Sequence, residues 1–268
     1  VIPAVSLNTA TVKQWTLAEC VEGCARHGIP GISPWRDVLQ DMGVKAAARC
    51  IRDARLRVTG LCRGGMFPAA DAAGRTAAIE DNRRAIADAH ALGADCLVMV
   101  CGGLPAGSKD LPGARAMVRD GLEAILPEAR AAGVTLALEP LHPMTCADRS
   151  VLSTLAQALD LCDALGSGVG VTVDVYHVWW DPDLARQMAR ATGRIAAFHV
   201  CDWKVPTTDL VFDRGLPGEG VIDIPAIRAM AHAAGWQGGV EVEVLSRAVW
   251  AMDADQVMQA VAGSATAC

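Results

Sequence analysis

The chain has 268 residues, 52% of them hydrophobic, and a formal net charge of −6. That length holds one large α/β domain or two small ones, and an acidic chain without a basic run is a poor partner for nucleic acid, whose binding depends on neutralising phosphates. No apolar run approaches the roughly 18 residues of a membrane span, and no basic segment followed by an apolar one opens the chain, so neither a membrane protein nor a signal peptide is expected and a cytoplasmic location is.

Taken in order, the chain repeats one pattern: a short β-rich run, an alanine-rich helical stretch, then a glycine. AVSLNT (4–9) leads to a helix near 16–27, closed by Gly28. GISPW (31–35) leads to a helix near 37–55. RVTGLCRGG (57–65) leads to a helix near 71–92, closed by Gly93. DCLVMVCGG (95–103) leads to a helix near 113–132, closed by Gly133. VTLALEPLH (134–142) leads to a helix near 151–165, closed by Gly166. VGVTVDVYH (169–177) leads to a helix near 182–192, closed by Gly193. IAAFHVCDW (195–203) leads, after a long loop, to a helix near 223–234, closed by Gly235. GGVEVEVLS (238–246) leads to a last helix near 254–262.

These are eight βα units with no break in composition, so one domain over 1–268 is expected. Alternating strands and helices imply a parallel sheet, and eight units in about 250 residues fit a closed (β/α)8 TIM barrel. An open doubly wound sheet is the alternative. It usually carries G-x-G-x-x-G after its first strand, and NTATVKQW stands there instead. The ten cysteines are scattered, without C-x-x-C, and Cys20 and Cys24 lie one helical turn apart. They read as buried thiols of a reducing compartment.

The run VTVDVYHVWWDPDL (171–184) starts as a core strand and then places an aspartate in it. An unpaired buried charge is expensive. In a barrel of this kind chemistry sits at the C-terminal strand ends, and the polar residues there form a series: Glu139, then Asp174 and His177, then His199 and Asp202, then Glu241 and Glu243. Neighbouring strands lie about 4.8 Å apart, so inward groups from four adjacent strands can converge. Three converging carboxylates repel one another, and a divalent cation relieves both the repulsion and the burial. Glu139, Asp174, His199 and Glu243 offer three carboxylates and one imidazole, a set that suits one Mn²⁺, with Mg²⁺ or Co²⁺ as alternatives. Glu241 and Glu243 face the same way. Glu243 is nearer the exit and is the expected ligand; Glu241 lies deeper and needs a partner.

The segments LALEPLHP, VTVDVYHVWW, AAFHVCDW, DRGLPGEGVIDIPAI and GGVEVEVLS resemble the sugar isomerase/epimerase family of xylose-isomerase-like TIM barrels. SLNTATVKQW, GISPWRD and GLCRGGMF match it more loosely. The resemblance implies that Glu139, Asp174, His199 and Glu243 bind one divalent metal, that Glu139 and Glu243 also transfer protons, and that His177 and Arg214 hold substrate hydroxyls. It implies a metal-dependent isomerase or epimerase acting on a keto or aldo sugar or derivative through a metal-stabilised enediolate. Elimination of a β-substituent, an aglycone included, is an alternative outcome of the same chemistry. A non-catalytic sugar-binding or accessory barrel is the rival of another class. The same fold family includes DNA-repair endonucleases with three metals and more histidines; six histidines, three of them in expected helices, fit that branch poorly. A homo-oligomer is an expectation of the resemblance alone.

Further candidates lie around these. Arg63, after strand 3, can bind a carboxylate or phosphate or make a loop salt bridge. His142 can support the metal site, touch substrate or be an ordinary loop histidine. Asp202 can orient His199, bind a hydroxyl or stabilise a turn. Trp35 and Trp179, with Trp180 and Trp203, follow predicted strands and offer flat faces to a sugar ring or aglycone, or pack a loop or subunit interface.

Overall fold

Each branched, apolar run becomes a parallel strand and each alanine-rich stretch a helix. The computed structural model describes residues 4–267, with side chains through Ser264. The chain runs through β1 (Val5–Asn8), α1 (Leu17–His27), β2 (Gly31–Ser33), α2 (Val44–Asp53), β3 (Arg57–Val58), β4 (Leu61–Gly65), α3 (Ala72–Leu92) and β5 (Cys96–Val100). It continues with α4 (Leu111–Ala132), β6 (Thr135–Leu138), α5 (Leu155–Leu165), β7 (Val169–Asp174), α6 (Val175–Val178), α7 (Leu184–Arg190) and β8 (Ile195–Val200). After β8 come a small hairpin of β9 (Asp202–Trp203) and β10 (Arg214–Gly215), then α8 (Ile224–Ala233), β11 (Val240–Val242), α9 (Arg247–Trp250) and α10 (Ala254–Ala267).

The barrel strands pair in the order β3-β2-β1-β11-β8-β7-β6-β5-β4. All these pairs are parallel, and a parallel bridge from Trp35 to Cys62 joins β2 to β4 and closes the ring. The expected third strand, 57–65, is thus two short pieces of one stave. Its ladder to the second stave runs on across the break, with Thr59 and Cys62 donating to the carbonyls of Ile32 and Pro34. The result is a TIM barrel of eight staves.

Two helices start several residues later than the sequence reading, and the last, expected at 254–262, runs on as Ala254–Ala267. The expected helix at 37–55 begins only at Val44, because Gly43 (φ +77°) turns the chain out of helical geometry just before it. The expected helix at 151–165 begins at Leu155, where Thr154 accepts from the Gln157 amide as its N-cap. Gly28 ends α1 at φ +67°, a conformation other residues reach only with strain.

The strand alternation sorts the side chains into two layers. Val5, Leu7, Leu97, Met99, Leu136, Leu138, Val171, Val173, Phe198, Val200, Val240 and Val242 point outward into the large core shared with the helices. Their neighbours in sequence point into the barrel, where the apolar filling is small: Cys62, Cys96, Val98, Ala137 and Ala197. Small residues there leave room for buried polar groups above them. Among the described residues, no helix is long and apolar enough to cross a membrane.

Candidate metal centre and active site

The inward positions nearest the C-terminal strand ends carry a cluster of ionisable groups. Asp174 ends β7, and Glu139 and Glu243 lie one residue past β6 and β11. His199 on β8 is level with Asp174 on one side and with Glu241 on the other. Each of Glu139, Asp174, His199 and Glu243 offers a ligand atom, and these four atoms all lie within 4.8 Å of one another. All four residues are buried, none more than 4% exposed. Glu139 Oε1 and both His199 ring nitrogens make no hydrogen bond of acceptable geometry. Buried polar atoms left this way call for a partner, and three carboxylates with one imidazole are a donor set for a divalent cation.

The burial has electrostatic consequences. Desolvation, reinforced by Glu139 and Glu243 and opposed by Arg214, raises the Asp174 carboxyl from 3.8 to about 7. Burial works against a proton on His199, but the carboxylates of Glu241, Glu139 and Glu243 outweigh it and raise that group to about 10. Without a metal, a proton on His199 and the guanidinium of Arg214 share the work of offsetting the acids. Arg214 Nη1 lies 3.0 Å from Asp174 Oδ2 and 3.2 Å from Glu243 Oε2. Its Nη2 lies 3.1 Å from His177 Nε2, while His177 Nδ1 accepts from the His142 amide at 3.0 Å. Burial and then Arg214 hold His177 well below the ordinary histidine range.

Glu241 has the partners the sequence could not name. Its Oε1 accepts from Asn8 Nδ2 at 2.8 Å and lies 3.3 Å from His199 Nε2; its Oε2 accepts from Thr59 Oγ1 at 3.1 Å. His199 Nδ1, in turn, lies 3.2 Å from Glu139 Oε1. The ring therefore directs Nε2 toward a supporting carboxylate and Nδ1 toward the cluster, the arrangement that fixes a metal-binding tautomer. Asn8 Nδ2 also reaches Glu243 Oε1 at 3.0 Å. Its amide is oriented by Trp35 Nε1 and the Ala10 amide, both donating to Oδ1. Asn8 was not among the expected site residues, yet it ends the first strand and the strand-end rule would have found it.

Above the cluster lies a narrow cavity that Trp35, Arg63, Glu139, His177, Arg214 and Glu243 help to line. The other candidates stand elsewhere. Asp202 neither orients His199 nor lines that cavity. Its carboxylate accepts from the amides of Trp203, Gly218 and Ile222, and so pins the loop after β8. Glu241 takes the place beside His199. The His142 ring packs against Trp180 and Trp203, and its contribution nearer the site is the backbone amide on His177. Trp179 packs against Trp203 and the core, so of the two tryptophans expected to face substrate only Trp35 lines the cavity.

The chain belongs to the xylose isomerase-like TIM barrel family, whose model matches residues 21–263. Among solved structures, SMc04130 from Sinorhizobium meliloti 1021 is 55% identical, with a TM-score of 0.96 over 97% of this chain and 96% of that one. An IOLI protein with a binding zinc atom is 21% identical, with a TM-score of 0.83 over 97% and 96%. The 3-keto-D-glucoside 4-epimerase YcjR from E. coli is 22% identical, with a TM-score of 0.76 over 94% and 95%. No curated protein matches the chain.

Proposed function

We propose that the chain is a divalent-metal-dependent isomerase or epimerase of a keto or aldo sugar or sugar derivative, with Glu139 and Glu243 as its acid–base pair. The observation that carries this reading is the convergence of Glu139, Asp174, His199 and Glu243 within 4.8 Å at the catalytic end of the barrel. Those four residues would hold the cation, for which the oxygen-rich donor set favours Mn²⁺, with Mg²⁺ and Co²⁺ as alternatives. When bound, the cation supplies Lewis-acid stabilisation of negative charge on the substrate's carbonyl and hydroxyl oxygens.

The remaining work falls to side chains. Glu139 and Glu243 leave β6 and β11, with β7 and β8 between them, so they approach a bound sugar from different sides. One carboxylate removes the hydrogen on the carbon next to the carbonyl. The other returns a proton to the opposite face in epimerisation, or to the neighbouring carbon in isomerisation. Arg214, released from the acids it now touches, and His177 are placed to hold the sugar's hydroxyls. Trp35 closes one wall and helps exclude water.

The test is solvent exchange. D-fructose and a methyl 3-keto-D-glucoside are incubated with the protein and Mn²⁺ in D₂O and followed by NMR. Deuterium appearing on the carbon next to the carbonyl, and lost in Glu139→Gln and Glu243→Gln, supports the proposal. An unsaturated sugar with release of water or aglycone would make the enzyme a lyase. No exchange across a broad panel of such sugars, with Mn²⁺ bound, would favour an accessory barrel.

A further inference from the structure

Arg63 on β4 and Arg149, in the segment between β6 and α5, line the same cavity as Glu139, His177, Arg214 and Glu243. Both are half-buried. Nearby arginines have acidic partners: Arg214 has Asp174 and Glu243, and Arg36 has Asp81 and Asp88. The side chains of Arg63 and Arg149 make no hydrogen bond or ion pair among the described residues. Two half-buried guanidinium groups at one opening, with no acid in direct contact, are costly to keep there. Burial, then Arg214 and Arg63, push the Arg149 group down, with Glu139 and Glu243 opposing them only in part.

The formal charges point the same way. Glu139, Asp174, Glu241 and Glu243 carry four negative charges, and a divalent ion with Arg214 offsets three of them. Arg63 and Arg149 then leave the opening with one positive charge in excess. A neutral sugar leaves that excess unmatched; a substrate with one anionic group matches it. There is also room for such a group. Arg63 stands at the border between the site cavity and an adjoining groove of about 330 Å³, lined in part by Trp35, Arg36, Asp37, Gly65, Met66 and Asp81, where Arg36 is paired with Asp81.

We propose that Arg63 and Arg149 form an anion subsite beside the candidate metal centre, so that the substrate is a keto or aldo sugar derivative bearing a carboxylate or a phosphate. This rests on the isomerase or epimerase reading above. The anionic end lies on the β4–β6 side of the opening and the reacting carbon over Glu139 and Glu243. Guanidinium forks suit either oxyanion because both accept paired N–H bonds.

The test is calorimetric titration of the Mn²⁺-loaded protein with three small hydroxyketones: dihydroxyacetone, which is neutral, hydroxypyruvate, a carboxylate, and dihydroxyacetone phosphate. At least one anionic compound should bind about ten-fold or more tightly than dihydroxyacetone, and the tighter of the two assigns carboxylate or phosphate. In the double variant Arg63→Met/Arg149→Met that preference should vanish, while Mn²⁺ and dihydroxyacetone are still bound at least as tightly as by the wild-type protein; Arg63→Lys, which keeps the charge, should retain part of the preference. Mn²⁺ binding with equal affinity for all three compounds, or a preference that survives the double variant, overturns the anion subsite alone. Failure of the wild-type protein to bind Mn²⁺ overturns the metal-dependent reading and the subsite with it.

Discussion

His199 depends on a carboxylate that is not in the proposed ligand set. Glu241 lies against its Nε2 and is itself held by Asn8 and Thr59. Removing that charge should leave the fold intact but make Nδ1 a poorer, less oriented donor. Glu241→Gln is expected to weaken Mn²⁺ binding about 10- to 100-fold, measured by calorimetry, with an unchanged circular dichroism spectrum. Unchanged affinity would mean that Glu241 only fills the barrel. At this scale much of the site was legible. A residue type that is wrong for a buried strand marks each of Glu139, Asp174, His199 and Glu243, because period-two alternation admits few explanations for a charge there. Asn8 escaped because a neutral amide at a strand end raises no such alarm. Asp202 stayed open between a site role and a turn role, because its sequence position, three after His199, says nothing about the amides of Gly218 and Ile222 that fold back onto it.

Among elements, the hairpin of β9 and β10 shows what the pattern of strands and helices leaves out. It delivers Arg214 to the acids, and it is held by Asp202, whose carboxylate gathers three backbone amides. Gly220 is packed so closely that a Cβ there would stand 2.2 Å from the Trp203 carbonyl. Asp202→Ala strands buried N–H groups and is expected to cost about 2 kcal/mol or more of stability. Urea unfolding measures this, and Mn²⁺ binding should persist in the folded fraction; a loss below about 0.5 kcal/mol would show that the loop is held by other means. The repeat of strand, helix and glycine was enough to count the staves, since hydrophobic period and helix-ending glycines are local signals. The late start of α2 was not legible, because 37–42 reads as helical until the left-handed Gly43 is known.

For the molecule as a whole, the cluster ties stability to pH. Asp174 is raised from 3.8 to about 7, so its contribution to the metal-free fold is present below pH 3.8 and is lost as pH rises through 7. His199 is raised from 6.5 to about 10, so its contribution is full below pH 6.5 and declines toward pH 10. Both make the metal-free protein less stable between pH 6 and 8. A cation replaces those protons, so its binding tightens over the same interval. The rise in Tm caused by Mn²⁺ should therefore be larger at pH 8 than at pH 6, and the difference should shrink in Asp174→Asn. A pH-independent rise would show that the cation binds without displacing protons.

Anomalous scattering from a crystal grown with Mn²⁺ tests the central claim most directly. One peak is expected per chain, about 2.0–2.3 Å from oxygens of Glu139, Asp174 and Glu243 and from His199 Nδ1, with Arg214 withdrawn from the carboxylates. A crystal soaked to saturation that shows no peak there, or one at a different set of residues, would contradict it.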